Sequence, residues 1–226
     1  MEAVLTGDLI DSRSYSTSLL DSVLDGLKAE FAYLTERSAH SIDFELYRGD
    51  SFQGMTDLST ALEDALILYA AVRRVVVGRV SPSSKPAADL RISLGIGDVQ
   101  SLRLVAAESS GAAFYYSGGN LDVIKRSGLR FGIKCSDAFI NGEFAVQARM
   151  LDHILSRWSV ASAEVVYLLL RGYKEQEIAY QLEISQPAVN LRKQAAGWDV
   201  ISAIIDRYKR IIHYLSTHSV DHGYII

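Results

Sequence analysis

Between Ser18 and Tyr47 the apolar residues of this chain change their period, and that change restricts the folds open to it. Leu19, Leu20, Val23, Leu24, Leu27, Phe31 and Leu34 fall at helical spacing, so a helix from Ser18 to about Arg37 turns one stripe to a core. Ile42-Asp43-Phe44-Glu45-Leu46-Tyr47 then alternates with period two, as a half-buried strand does. Before the helix, Glu2 to Thr6 reads as a short strand stopped by Gly7-Asp8. After it, Arg48-Gly49-Asp50-Ser51 supplies a turn, and Phe52 to Met55 reads as the returning strand of a hairpin. Asp57 or Ser59 can cap a second helix running to about Val77, with Leu58, Leu62, Ala65, Leu66, Tyr69 and Val72 inward. Val80 to Pro86 is a loop, and Leu90 to Gly97 alternates again as a strand.

The order is β-α-β-β-α-β, which predicts an α+β fold of ferredoxin-like or palm type: an antiparallel sheet with helices on one face. Further on, Ser109 to Arg126 predicts helix around a glycine turn at Gly118-Gly119, Leu129 to Cys135 a strand, and Asp137 to Trp158 a connecting helix. The expected division is 1–136 for the α+β domain and 137–226 for an all-α domain containing a helix-turn-helix at 161–195.

Composition excludes several classes. With 49% hydrophobic and 22% charged residues the chain is globular rather than disordered. Its uninterrupted apolar runs, such as Val165 to Leu170, are much too short to span a bilayer, so no membrane partner is expected. The start lacks a basic segment and a small-residue cleavage site, and the single Cys135 forms no internal disulfide, so a cytoplasmic location is expected. The histidines at 153, 213, 218 and 222 have no metal-ligand spacing, and Gly95-Ile96-Gly97 lacks the lysine of a P-loop. Net charge is −4, and from Leu151 onward acids and bases balance, a low basic content for a nucleic-acid binder.

In the last third, Gly172 stops one helix, Lys174 to Leu182 makes a short second one, and Ser185 caps a third with Pro187 in its first turn. Gly172, Glu177, Ile178, Ala179, Leu182, Ile184, Ser185 and Val189 together resemble the helix-turn-helix of LuxR-type regulators and sigma factor region 4. The resemblance implies a third helix in the DNA major groove. Gln186, Asn190 and Lys193 would face bases, and Ser185 and Arg192 phosphates. The same spacing also serves a small bundle that binds protein. Val200 to Leu215 is amphipathic and suits packing or a homodimer.

In the first third, Gly7-Asp8 follows a strand and Gly49-Asp50 sits at a hairpin tip, and a ferredoxin-like sheet brings both carboxylates to one edge. Two carboxylates can hold Mg²⁺ against a nucleotide's phosphates, with Gly7, Leu9 and Gly49 offering backbone. Gly-Asp is equally ordinary turn chemistry. Val4 to Ser12, Tyr47 to Phe52, Leu90 to Gly97 and Tyr116 to Asn120 resemble the palm domain of class III nucleotidyl cyclases. The Thr6-Gly7-Asp8, Arg48 to Gln53 and Arg91 to Gly97 segments resemble the SatD family of small bacterial proteins more closely. The cyclase resemblance implies metal at Asp8 and Asp50. It departs from an active cyclase in that Asn120 with Lys125 or Arg126 only approximates the family's Asn-Arg pair, and no base-selecting pair is visible. The expectation is a DNA-binding transcriptional regulator with a degenerate cyclase-like sensor or dimerisation domain. The alternative is a nucleotidyl cyclase or other metal-dependent nucleotide-processing enzyme carrying a helix-turn-helix.

Overall fold

The computed structural model describes residues 1–38, 44–47, 49–78, 81, 83–101 and 110–218. Five strands form the main sheet: β1 (Glu2–Leu9), β2 (Glu45–Tyr47), β3 (Ser51–Thr56), β4 (Leu90–Gly97) and β7 (Phe131–Lys134), in the order β2-β3-β1-β4-β7. The first four are antiparallel neighbours, and β7 adds to β4 in parallel. Two short strands, β5 (Val99–Ser101) and β6 (Ser110–Gly111), pair apart from it. The α+β class and the central hairpin are as expected. Of the expected strand from Ile42, residues 42 and 43 lie outside the described residues. The structure corrects two expected boundaries. The second helix follows Thr60 rather than Asp57 or Ser59 and ends at Arg73, short of Val77. Gly7-Asp8 does not end the first strand, which continues to Leu9 because both residues are paired on either side, Gly7 with Phe52 and Ile92, Asp8 with Ser51 and Arg91.

Strand periodicity assigns the two faces. Ala3, Leu5 and Leu9 join the main core with α1 (Thr17–Arg37) and α2 (Ala61–Arg73). Val4 packs instead with Met55, Ala113 and Phe114, and the Thr6 hydroxyl donates to Ser117. The opposite face is therefore covered by α3 (Ala112–Arg126), an addition to the expected single helical layer. No turn interrupts this helix at Gly118-Gly119. It runs through both glycines because tertiary packing overrides their low helix propensity. Side chains on Gly95, Gly97 and Gly132 would collide with α3, so those three strand glycines let it lie close.

Helix α2 joins the two halves of the chain. Twelve of its thirteen residues are buried, since one side meets the sheet and the other meets α5 (Val160–Leu170). A helix apolar all round must be enclosed in this way. Its terminal Arg73 reaches both layers: Nη1 lies 2.9 Å from Asp89 Oδ2, and Nη2 donates to the carbonyls of Leu155 and Trp158. Asp89 also accepts from Arg130 Nε at 2.8 Å and from the Tyr69 hydroxyl, so this half-buried charge is compensated on several sides. Nearby, Glu30 of α1 accepts from the Tyr167 hydroxyl at 2.6 Å and from Arg171 at 2.8 Å. The hydrophobic core runs without a break from Ala3 to Leu215 through these contacts.

The remaining helices are α4 (Ala138–Leu155), α6 (Glu175–Gln181), α7 (Gln186–Ala195) and α8 (Trp198–His218). Asp137 caps α4 by accepting from Ile140 N. Among the described residues no helix is long and apolar enough to cross a membrane.

Candidate functional site

Cross-strand register builds the candidate site. Asp8 stands opposite Ser51 on β3 and opposite Arg91 on β4, so the three side chains form a row on the α3 face of the sheet. The hairpin tip adds Asp50, whose carbonyl accepts from Leu9 N at 2.9 Å, tying β1's end to the turn. Gly49 has φ 80°, the left-handed conformation that glycine adopts without penalty. The chain then turns through Asp11, with φ 55°, into a 3₁₀ turn at Ser12–Ser14 before Ser16 caps α1. Finally, the last turn of α3 brings in Lys125. Asp8, Leu9, Asp11, Ser12, Arg13, Ser14, Asp50, Arg91 and Lys125 line one open depression.

The predicted pair is thus brought together. The Ser51 hydroxyl lies 3.2 Å from Asp8 Oδ1 and 3.4 Å from Asp50 Oδ1, and its single hydrogen serves one of them at a time. Ser12 donates to Asp50 Oδ2 at 2.8 Å. Lys125 Nζ lies 3.0 Å from Asp8 Oδ2, with Arg91 Nη1 at 4.0 Å from the same oxygen. Beneath the turn, the Tyr15 hydroxyl donates to the Ile10 carbonyl at 2.7 Å and accepts from Asp89 N at 2.9 Å. Burial holds the Tyr15 phenol above its ordinary value, and the neighbouring Asp89 and Asp11 carboxylates add to this.

The Leu9 side chain, and the side of Gly7 that would carry one, belong to the other face, so only the backbone of Leu9 meets the depression. A side chain at Gly7 would run into the Phe52 ring, and Leu9 is buried in the main core. Lys125, Arg91, Ser12 and Ser51 complete the site beyond the predicted residues. Arg91 carried a signal, as a charged residue alternating with Leu90 and Ile92. Lys125 carried a weaker one, as a cation near Asn120, and no local pattern aims it at Asp8. Asn120 instead donates to Ser93 under the helix.

Mg²⁺, the ion the cyclase resemblance implies, can be tested against these donors. Three donors serve the two carboxylates: Lys125 at Asp8 Oδ2, Ser12 at Asp50 Oδ2, and Ser51 shared between the two Oδ1 atoms. An ammonium 3.0 Å from Asp8 Oδ2 would lie within about 5 Å of a Mg²⁺ bonded to that oxygen at about 2.1 Å, and the two cations would repel. As arranged, the residues do not fit a divalent ion.

The second predicted site has the expected backbone. Gly172 with φ 85° ends α5, Glu183 with φ 52° makes the turn after α6, and Ser185 Oγ accepts from Ala188 N to start α7. Ile178 and Val189 are fully buried and anchor the two helices. Gln186 is exposed on α7, and Asn190 accepts from Gln194. The two predicted cations are both held within the module, Lys193 by Glu175 at 2.9 Å and Arg192 by Glu164 at 3.5 Å. Trp158 Nε1 donates to the carbonyl of Ala196 at 2.9 Å and fixes the end of α7 to the core.

No protein-family model matches the chain, and no curated protein matches it in sequence. Solved structures similar to it include a bacterial light-regulated adenylyl cyclase, at 10% identity and a TM-score of 0.39 over 59% of this chain and 42% of that one. A second such structure is 9% identical with a TM-score of 0.38, over 58% of this chain and 74% of the other. The guanylyl cyclase Cya2 is 15% identical with a TM-score of 0.34, over 58% and 73%. The chain thus spans less than half the length of the first of these.

Proposed function

We propose that the sheet edge around Asp8 and Asp50 binds a phosphorylated nucleotide, and that this is the chain's sensing or processing site. The observation that carries the reading is the convergence of three cations, Arg13, Arg91 and Lys125, with Asp8 and Asp50 around one depression. Arginine offers a planar fork to phosphate oxygens, and Lys125 a movable point charge. The carboxylates would orient these cations, and Asp50 with Ser12 and Ser51 would offer acceptors and hydroxyls to a ribose.

The test is calorimetric titration with each of the four nucleoside triphosphates, with Mg²⁺ and separately with EDTA. Wild type is compared with Arg91→Ala and Arg13→Ala. Saturable binding weakened about tenfold or more in the variants is expected, a loss of about 1.4 kcal/mol. Absence of heat with every nucleotide in both buffers contradicts the reading.

A second reading is carried by a different observation, the capped α7 projecting Gln186 and Asn190 beside the turn at Glu183. In it, the α6–α7 pair binds DNA and the chain acts as a nucleotide-responsive regulator, with a homodimer placing two such helices at two half-sites. Because Arg192 and Lys193 are neutralised internally, few phosphates would be contacted, and affinity should fall only shallowly with salt. Anisotropy with random genomic fragments at low salt tests it, and binding no stronger for wild type than for Gln186→Ala/Asn190→Ala would sink it.

A further inference from the structure

We infer that Lys125 stands in the place of a metal ion, a tethered cation that neutralises Asp8 and keeps divalent metals out of the nucleotide site. The inference rests on the reading of this edge as a ligand site, and it gives that site's cofactor: none. The geometry is specific. Asp8 is nearly buried at the centre of the sheet row, so its charge needs a partner. Lys125 reaches it from α3 at 3.0 Å, and Arg91 stands at 4.0 Å on the neighbouring strand. Asp50, the other ligand a metal would need, is turned to Ser12 and Ser51 instead. A divalent ion bound to Asp8 Oδ2 would have to expel the Lys125 ammonium from the same oxygen, at the cost of an ion pair already made. Lys125 is itself half exposed on a flexible stem, so removing it opens the position without disturbing the core.

The experiment is Mn²⁺ titration of the full chain followed by electron paramagnetic resonance, for wild type, Lys125→Ala, Lys125→Met and Lys125→Ala/Asp8→Asn. Thermal melts confirm that each variant is folded. Lys125→Met keeps the apolar stem, so it separates loss of charge from loss of packing. Wild type is expected to leave Mn²⁺ free. Both single variants should bind one Mn²⁺ at least tenfold more tightly, and the double variant should lose it again. Wild type binding Mn²⁺ as tightly as Lys125→Met overturns the inference, and so does a failure of both Lys125 variants to bind. A parallel ATP titration in EDTA separates the two claims. No ATP binding alongside the expected Mn²⁺ pattern ends the nucleotide reading and leaves the role of Lys125 standing.

Discussion

Helix α2 buries twelve of its thirteen residues, whereas α7 buries only Val189 of its ten. Both are well-formed helices, and they are held for different reasons. Helix α2 exists because two layers enclose it, and its one long cation, Arg73, is matched by Asp89 and two carbonyls. Helix α7 exists because its ends are specified, by Ser185 at the start and the Trp158 tie at the finish. Enclosure makes α2 the mechanical centre of the fold and leaves it no free surface. End specification leaves Gln186, Pro187, Leu191, Gln194 and Ala195 exposed. Enclosure and end specification thus hold separate helices, and substitutions should separate them too.

The largest effect should come from breaking the charge pairing at the end of α2. Arg73→Ala removes one of Asp89's partners and strips the Leu155 and Trp158 carbonyls of their buried donor, and should cost about 3–5 kcal/mol in chemical denaturation. Leu66→Ala, at the middle of the enclosed face, should cost about 2–5 kcal/mol by opening a cavity. Retention of wild-type stability by either would break the claim that α2 is the keystone. Ser185→Ala should cost about 0.5–2 kcal/mol, with faster hydrogen exchange confined to α7.

A pH dependence sharpens the same contrast. Burial, helped by the Glu30 carboxylate, pushes the Tyr167 phenol up to about 12. Its folded value lies above its unfolded one, so its contribution is complete below about pH 10 and is lost as pH rises towards 12. Alkaline unfolding curves should therefore steepen in this range for wild type and flatten for Tyr167→Phe. The smallest effect runs in the stabilising direction. Gly118 and Gly119 have open space where a side chain would go, so alanine at either should add about 0.4–1 kcal/mol.

How legible each region was in the sequence follows from the same distinction. End-specified structure was readable: Gly172 marked the end of α5, Ser185 and Pro187 the start of α7, and Asp137 the start of α4, because caps and stops are local. The strands around Asp8 and Asp50 were readable from period two and turn chemistry. Enclosed structure was only half readable. Leu62, Ala65, Leu66, Tyr69 and Val72 are buried in α2 as the spacing predicts, whereas Leu58 precedes the helix and is half-buried. Ile67, Leu68, Ala70 and Ala71 on its other side are buried as well, which depends on α5 arriving nearly a hundred residues later. The glycine turn expected in α3 failed because the sheet glycines that hold that helix in place are distant in sequence. Lys125 was missed at the site for the same reason: only the packing of α3 across β1 brings it to Asp8.

Nucleotide binding at the Asp8–Asp50 edge of the sheet is tested most directly by hydrogen–deuterium exchange of the full chain with and without ATP in EDTA. Protection is expected at residues 8–14, 49–51 and the last turn of α3, with α2 unchanged. No protection at those segments at saturating ATP, or protection appearing only along α6 and α7, would contradict it.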